Sequence, residues 1–145
     1  MYVFDTSIFV AGLRSQQGAS FVLLQAIRDG LIEGAASTAL LLEYADVLSR
    51  DDNLQNFWLS PAEVNLFLGV IVLNLKPVLI DFRWRPQLSD ANDEMVLECA
   101  INARAAAIVT FNTRDFLPAA TQFGIPLVQP GALVRSLRLT ERLSK

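Results

Sequence analysis

The sequence contains no histidine, and Cys99 is its one cysteine. The absence of histidine excludes a Ser-His-Asp triad, a Cys-His pair and any histidine-ligated zinc site. One cysteine cannot form an internal disulfide, so a reducing compartment, the cytoplasm, is the expected location. Acid–base chemistry near neutral pH then has to come from carboxylates, Lys, Tyr, Cys or metal-bound water.

Long apolar runs are also missing from the sequence. The most apolar internal stretch, residues 67–75, contains Asn74 and is well short of the roughly 20 residues that span a bilayer. Asp5 interrupts the apolar residues 1–10, and no basic region precedes them, which is not typical of a signal peptide. The length of 145 residues, with no linker or repeat, predicts one soluble domain over residues 1–145 and no membrane association.

Positive charge is scarce, with 12 Lys and Arg against 15 Asp and Glu. This balance does not produce the global positive field of a simple nucleic-acid binder. Basic residues are concentrated in two places. One is the cluster of Arg83, Trp84 and Arg85, which either stacks on nucleic-acid bases or folds back onto the core. The other is the end of the chain from Arg135, which is either a solvated helix end or a contact for RNA or a partner.

Short apolar segments alternate with helical patterns along the whole chain. The predicted strands are residues 2–4, 32–36, 77–80, 106–110 and 125–128. The predicted helices are residues 17–29, 39–49, 61–74 and 91–104, with a last one opening at Pro130; Ser60 and Glu63 form a capping box for the third. This alternation predicts a three-layer α/β/α sandwich with a mainly parallel central sheet.

Acidic side chains follow the predicted strands, where open parallel sheets bind their ligands. Asp5 ends the first strand, and Asp115 comes shortly after the strand at residues 106–110. Asp90 and Asp93 lie at the start of the helix before that strand. Each of these residues alone also has an ordinary structural explanation, such as an N-cap, which is a common role of Asp at helix starts.

Glu43 is a further candidate because of its position on the helix at residues 39–49. At about 100° per residue, Leu40, Tyr44 and Leu48 form the apolar face and Glu43 lies on its shoulder. A carboxylate there is costly unless it reaches water, is paired or binds a cation. Several carboxylates at one sheet edge repel each other unless cations neutralise them, and oxygen ligands suit Mg²⁺ or Mn²⁺. Such ions support phosphodiester cleavage without histidine.

Four segments, in order, resemble the motifs of the PIN-domain family. They are Val3-Phe4-Asp5-Thr6-Ser7, residues 40–48 with Glu43, residues 90–100 with Asp93, and residues 108–116 with the pattern Thr-x-Asn-x-x-Asp-Phe. Each segment is a weak signal alone, but four in this order and at compatible spacing are specific. The resemblance covers nearly all of the chain and implies a PIN-like fold.

The resemblance is closest to the VapC-like toxins of toxin–antitoxin pairs. It implies a Mg²⁺- or Mn²⁺-dependent endoribonuclease that forms a homodimer and is inhibited by a small antitoxin protein. It implies that Asp5, Glu43 and Asp93 hold the metal, that Asp115 completes the acidic cluster, and that Ser7, Thr110 and Asn112 support these ligands or contact phosphate. Arg83, Arg85 and Arg114 are the candidates to contact the RNA backbone.

The number of metal ions is open, because many relatives have Asp where Asn112 stands, and so is any help from Asp90. Two acidic-pocket folds of different chemistry fit the sequence less well. A phosphatase with a first-strand Asp nucleophile usually has a second Asp where Ser7 stands. A receiver domain needs a lysine after a late strand, and Lys76 and Lys145 are not placed for that role.

The PIN-like fold is also compatible with two different functions. The chain would then be a weak or inactive RNA- or partner-binding module, or a housekeeping RNA-processing nuclease without an antitoxin. Cys99 is interpreted as a small core residue. Trp58 follows residues 50–57, which are expected to be irregular, and packs either on the core or against a partner.

Overall fold

The computed structural model of the protein describes residues 1–81, 88 and 90–144. The strands are β1 (Tyr2–Phe4), β2 (Gly34–Ser37), β3 (Leu75–Val78), β4 (Ala107–Val109) and β5 (Leu127–Val128). The helices are α1 (Thr6–Arg14), α2 (Ala19–Arg28), α3 (Thr38–Leu48), α4 (Asp51–Leu54), α5 (Pro61–Asn74), α6 (Ala91–Ala103), α7 (Thr113–Gln122), α8 (Pro130–Ser136) and α9 (Leu139–Leu143).

The five strands form one parallel sheet in the order β3-β2-β1-β4-β5. The central strands are buried on both faces, since Val3, Phe4, Ile108 and Val109 have no exposed surface. Helices therefore cover the sheet on both sides, as is usual for parallel sheets. The fold is the three-layer α/β/α sandwich that the sequence predicts, and β1 lies at its centre with the carboxyl end of β4 beside it.

Helix α1 follows β1 directly and was not among the predicted helices. It buries Ile8, Phe9, Gly12 and Leu13, a helical spacing within a segment whose composition indicates only an apolar amino terminus. Gly12 allows α1 to approach α2 closely, because a Cβ at this position would lie 2.4 Å from Cδ1 of Leu24. This helix matters for the site, because it extends from the end of β1.

Two predicted helix starts are confirmed by their caps. The hydroxyl of Ser37 accepts a hydrogen bond from the Leu40 amide at 3.2 Å and begins α3. Ser60 and Glu63 form both bonds of the predicted capping box, with Pro61 in the first turn of α5. These caps satisfy backbone amides that have no partner within the helix.

Other boundaries differ from the prediction. Strand β3 begins two residues early, at Leu75, because this buried side chain pairs in register with Gly34. Residues 50–57 are not wholly irregular, since they contain α4. The last predicted helix is divided into α8 and α9 at Arg138, which has a left-handed backbone with φ of 54°.

Two further expectations concern residues 83–85 and the membrane. The basic-aromatic cluster of Arg83, Trp84 and Arg85 lies outside the described residues. Within the described ranges, every helix is too short or too polar to cross a bilayer.

Candidate active site

An open cleft of about 730 Å³ lies at the carboxyl edge of the central strands. Six of the residues singled out from the sequence line it, together with Asp90: they are Asp5, Ser7, Glu43, Asp93, Asn112 and Asp115. These residues come from segments that are far apart in the chain and that meet because β1 and β4 are neighbours in the parallel sheet. The predicted convergence of acidic side chains is therefore present in the structure.

Asp5 lies at the floor of the cleft and is 8% exposed. Its Oδ2 accepts two hydrogen bonds, from the hydroxyl of Ser7 at 2.9 Å and from the hydroxyl of Thr110 at 2.7 Å. Among the described residues nothing donates to Oδ1. The two hydroxyls therefore fix the orientation of the carboxylate while one oxygen stays available to a ligand.

Thr110 is fully buried and does not line the cleft itself. Its hydroxyl donates to Asp5 and accepts a hydrogen bond from the Asn112 amide at 3.0 Å. The single hydroxyl thus joins the end of β4 to the end of β1. Thr110 supports Asp5 from behind, and the side chain of Asn112 is exposed at the cleft.

Asp93 has the most perturbed carboxyl of the cleft. It lies in the first turn of α6, half-buried, and its pKa is raised to about 6. Burial is the largest cause, followed by the negative charges of Asp5, Asp90 and Asp115. These three repulsions follow from the position of the four carboxylates around one cleft. A bound cation would relieve them.

Asp90 is the N-cap of α6, and Asp93 is not. The side chain of Asp90 accepts a hydrogen bond from the Asn92 amide at 2.8 Å. The ordinary structural explanation is thus correct for Asp90, although its charge also lies close enough to raise the pKa of Asp93 and Glu43.

Glu43 is half-buried at the wall of the cleft, in line with its predicted position on the shoulder of α3. Its pKa is raised by burial first and then by Asp46, and the positive charge of Arg50 opposes this shift. The neighbouring Tyr44 is buried and donates a hydrogen bond from its hydroxyl to the carbonyl of Phe4. This bond fixes α3 against β1, and so holds Glu43 and Asp5 on the same cleft.

Asp115 is exposed in the first turn of α7, at the rim of the cleft. The adjacent Arg114 does not line the cleft. It lies in a neighbouring shallow depression with Phe111 and Gln129. Of the three arginines expected to contact RNA, Arg114 is therefore beside the acidic cluster, whereas Arg83 and Arg85 lie outside the described residues.

Two basic residues near the carboxyl end of the chain, Arg138 and Arg142, are engaged elsewhere. Arg138 pairs with Glu141 at 2.6 Å, and Arg142 donates a hydrogen bond to the carbonyl of Leu31 at 3.5 Å. Neither arginine lines the cleft. Cys99 is fully buried, which agrees with its interpretation as a small core residue, and burial raises the pKa of its thiol to about 11.

Several polar residues of the cleft were missed in the sequence, among them Arg14, Arg50, Asn53 and Asn92. The position of Arg50 could have been predicted from the sequence. It lies seven residues after Glu43, which is about two helical turns, so a continued helix would place both residues on the same face. Arg14 could be placed at the cleft only if α1 had been predicted, and Asn53 only if α4 had been predicted. Without those helices, nothing in the sequence relates either residue to Asp5.

The oxygen ligands fit a hard divalent cation, although they are not gathered into a compact ligand set. No group of three acidic residues in the described part of the chain is close enough to hold a metal ion as it stands. Mg²⁺ does not require such a group, since it usually keeps several waters and binds through one or two carboxylates plus substrate phosphates. The open oxygen of Asp5 and the repelled carboxylate of Asp93 suit that mode of binding.

An α/β sandwich with an acidic cleft at the carboxyl edge of its parallel sheet defines the class of this protein. The family model described as PIN domain matches residues 1–114, and the chain belongs to that family. Searches of the curated proteins and of the solved structures gave no match. PIN domains are generally nucleases and typically use divalent metals, so the family indicates a hydrolase that acts on nucleic acid. Asp115 lies one residue beyond the matched range.

Proposed function

We propose that this protein is a Mg²⁺- or Mn²⁺-dependent endoribonuclease and that the acidic cleft is its active site. The observation that carries the proposal is the meeting of Asp5, Asp90, Asp93 and Asp115 at one cleft, where burial and the three neighbouring carboxylates raise the pKa of Asp93 to about 6. Such mutual repulsion is costly without a bound cation, and perturbed groups of this kind are concentrated in functional sites.

Asp5 and Asp93 would hold the cation directly. Glu43 and Asp115, at the wall and the rim of the cleft, would bind it through water or complete its coordination. The bound cation would supply a water of lowered pKa and would offset charge on the phosphate. Ser7 and Thr110 keep Asp5 in one orientation, because both hydroxyls donate to the same carboxylate oxygen.

The remaining residues of the cleft bind and orient the substrate. Asn112 is exposed beside Asp115, and its uncharged amide can donate a hydrogen bond to a phosphate oxygen without electrostatic repulsion. Glu43, which would bind the cation through water, has a pKa raised mainly by burial and would accept the proton of that water during hydrolysis. The chain thus supplies ligands, a proton acceptor and a polar wall on one open surface that admits a flexible strand.

The test is a cleavage assay on RNA, and on DNA of the same sequence, with Mn²⁺ and with EDTA. We expect cleavage of RNA that requires the metal and is lost in Asp5→Asn and Asp93→Asn. Asp81→Asn is the matched control, because Asp81 is exposed and lies outside the cleft. Equal cleavage by wild type and both site variants would identify a contaminating nuclease and overturn the proposal. Cleavage of DNA alone would contradict the RNA substrate.

We also propose that the nuclease is the toxin of a toxin–antitoxin pair, on the strength of its sequence motifs. Induced expression in a bacterial host should then arrest growth, and Asp93→Asn should not. A neighbouring short reading frame that restores growth when coexpressed would identify the antitoxin. Normal growth with an active enzyme would favour an RNA-processing nuclease that works without an antitoxin.

A homodimer is the proposed assembly. Helix α5 supports it, because Leu66 and Leu73, one heptad apart, are 73% and 86% exposed on the same side of the helix. Light scattering should give the mass of two chains for the wild type and of one chain for Leu73→Lys. A single-chain mass for the wild type would exclude the dimer.

A further inference from the structure

Arg14 is a fixed cation in the acidic cleft, at the opposite end of α1 from Asp5. It is exposed, ends α1 and lines the cleft together with Asp5. Its Nη2 donates a hydrogen bond to Oδ1 of Asn53 at 2.9 Å. No carboxylate of the described ranges forms an ion pair with it. The positive charge and the other donors of the guanidinium therefore remain available to an anion.

The side chain of Asn53 is itself held in the orientation that accepts this hydrogen bond from Arg14. Only 7% of the residue is exposed, and its Nδ2 donates to the carbonyl of Val47 at 2.8 Å. Because the amide nitrogen is committed to that carbonyl, the amide oxygen is the atom that faces Arg14. The short helix α4 is thus anchored to α3 and presents one acceptor to the arginine.

The backbone at Arg14 is also fixed. The end of α1 leaves carbonyls without intrahelical partners, and Trp58 satisfies two of them. Its indole Nε1 donates to the carbonyl of Gly12 at 3.0 Å, and its amide donates to the carbonyl of Leu13 at 3.0 Å. Both the main chain and the side chain of Arg14 are therefore held in place before any substrate binds.

The distance between Arg14 and the acidic cluster follows from helix geometry. Arg14 lies eight residues after Thr6 on α1, which is about 12 Å along the helix from the end next to Asp5. Asp5 and Arg14 therefore lie at opposite ends of α1. A strand lying in the cleft would place a different phosphate at Arg14.

Arg50 differs from Arg14, although it lines the same cleft. It forms an ion pair with Asp46 at 2.7 Å, so its charge is largely compensated. Arginine binds phosphate through a planar set of donors, and a guanidinium oriented in advance loses less freedom on binding. Among the described cations of the cleft, Arg14 alone combines an uncompensated charge with a fixed orientation.

We infer that Arg14, oriented by Asn53, binds a backbone phosphate of the nucleic acid away from the scissile phosphate. The inference rests on the proposed nuclease function and adds a binding subsite to it. Arg14 contacts the substrate, and Asn53 is a positioning residue that acts through Arg14. The subsite sets the position of the strand in the cleft, and it counters the negative charge that would otherwise repel RNA.

The test measures the affinity of a fluorescently labelled single-stranded RNA in EDTA, over a series of salt concentrations. We expect Arg14→Ala to weaken binding roughly tenfold and to reduce the slope of log affinity against log salt by about 0.7, the value for one phosphate contact on a single strand. Arg14→Lys should keep the slope and lose part of the affinity. Arg28→Ala is the control, since Arg28 is exposed, pairs with Asp29 and lies outside the cleft.

Asn53→Asp tests the positioning role. Replacing the amide NH2 by oxygen removes the donor to Val47 and gives a carboxylate that should hold Arg14 as an ion pair, which would weaken RNA binding and reduce the salt slope although Arg14 is unchanged. In Mn²⁺-dependent cleavage, Arg14→Ala should raise KM and leave kcat within about twofold of the wild type.

The subsite and the proposed function fail in different ways. If the wild type cleaves RNA while Arg14→Ala binds it with the affinity and salt slope of the wild type, the subsite is wrong and the nuclease stands. If the wild type binds RNA without any metal-dependent cleavage, the nuclease is wrong, and the binding data still decide the role of Arg14.

Discussion

Thr110 donates a hydrogen bond from its hydroxyl to Oδ2 of Asp5 at 2.7 Å, and this bond joins the carboxyl ends of β4 and β1. Thr110→Val keeps the shape of the side chain and removes the donor, leaving Ser7 as the one hydroxyl on that oxygen. Groups that orient metal ligands usually contribute about 10- to 100-fold to metal affinity. We therefore expect the Mn²⁺ concentration for half-maximal cleavage to rise by that factor.

Thr110→Ser is the control for this prediction, because serine retains the hydroxyl and loses only a methyl group. It should keep a half-maximal Mn²⁺ concentration close to that of the wild type. If Thr110→Val and Thr110→Ser titrate identically, the hydroxyl does not orient Asp5 for metal binding.

The pH dependence of metal binding should follow Asp93. Its pKa is about 6 in the metal-free protein, so protons compete with the cation below that pH. The half-maximal Mn²⁺ concentration should rise about tenfold for each unit of pH below about 6 and level off above it. Titrations of cleavage with Mn²⁺ at several pH values check this. The midpoint of each titration reports the metal affinity, and the plateau at saturating metal reports the rate of cleavage. A half-maximal Mn²⁺ concentration that does not change with pH below about 6 would contradict this prediction.

The same carboxyl should destabilise the metal-free fold at neutral pH. Its pKa is higher in the folded protein than the usual value of 3.8, so the folded state binds more protons between these values and stability falls as pH rises through the window. Asp93→Asn removes the repulsion. Because Asp93 is partly exposed, solvent screening limits the increase in the free energy of unfolding to about 1 kcal/mol, which corresponds to roughly 2–4 °C in Tm.

Thermal unfolding in EDTA, near pH 7.5 and near pH 4, measures this effect. The variant should be more stable than the wild type at the higher pH and equal to it at the lower one, where the wild-type carboxyl is protonated. Asp81→Asn should show neither change. A variant that is less stable at both values would mean that Asp93 has a structural role beyond its charge.

The sequence was sufficient to predict the sheet and the acidic cleft, because both depend on local patterns. Alternating apolar strands and capped helices identify the sandwich, and the polar residues that follow the strands meet at one edge by the geometry of parallel sheets. The shoulder position of Glu43 required only the helical period.

The basic part of the cleft was not predicted, because it depends on tertiary contacts. Arg14 reaches the cleft through α1, whose apolar residues resemble a continuation of β1 in the sequence. Its partner Asn53 is 39 residues away and is placed by the short helix α4. The sequence left open whether Trp58 packs on the core or against a partner; its ring lies edge-on to Phe21 of α2, and its indole donates to the carbonyl of Gly12 near the end of α1.

The hydroxyl of Tyr44 links helix α3 to strand β1 beside the cleft. The hydroxyl donates to the carbonyl of Phe4, the residue before Asp5, while Glu43 precedes Tyr44 on α3. Tyr44→Phe removes one buried hydrogen bond, which costs about 1–2 kcal/mol. We expect a Tm lower by several degrees and a half-maximal Mn²⁺ concentration raised a few-fold, because α3 and β1 are no longer held together beside the ligands.

Ser60→Ala separates a general loss of stability from this local effect. Ser60 caps α5, away from the cleft, and losing that cap also costs about 1 kcal/mol. Its Tm should fall as in Tyr44→Phe, but its Mn²⁺ titration should match the wild type. If both variants shift the titration equally, or neither does, the bond between Tyr44 and Phe4 stabilises the fold without positioning Glu43 and Asp5 for the metal.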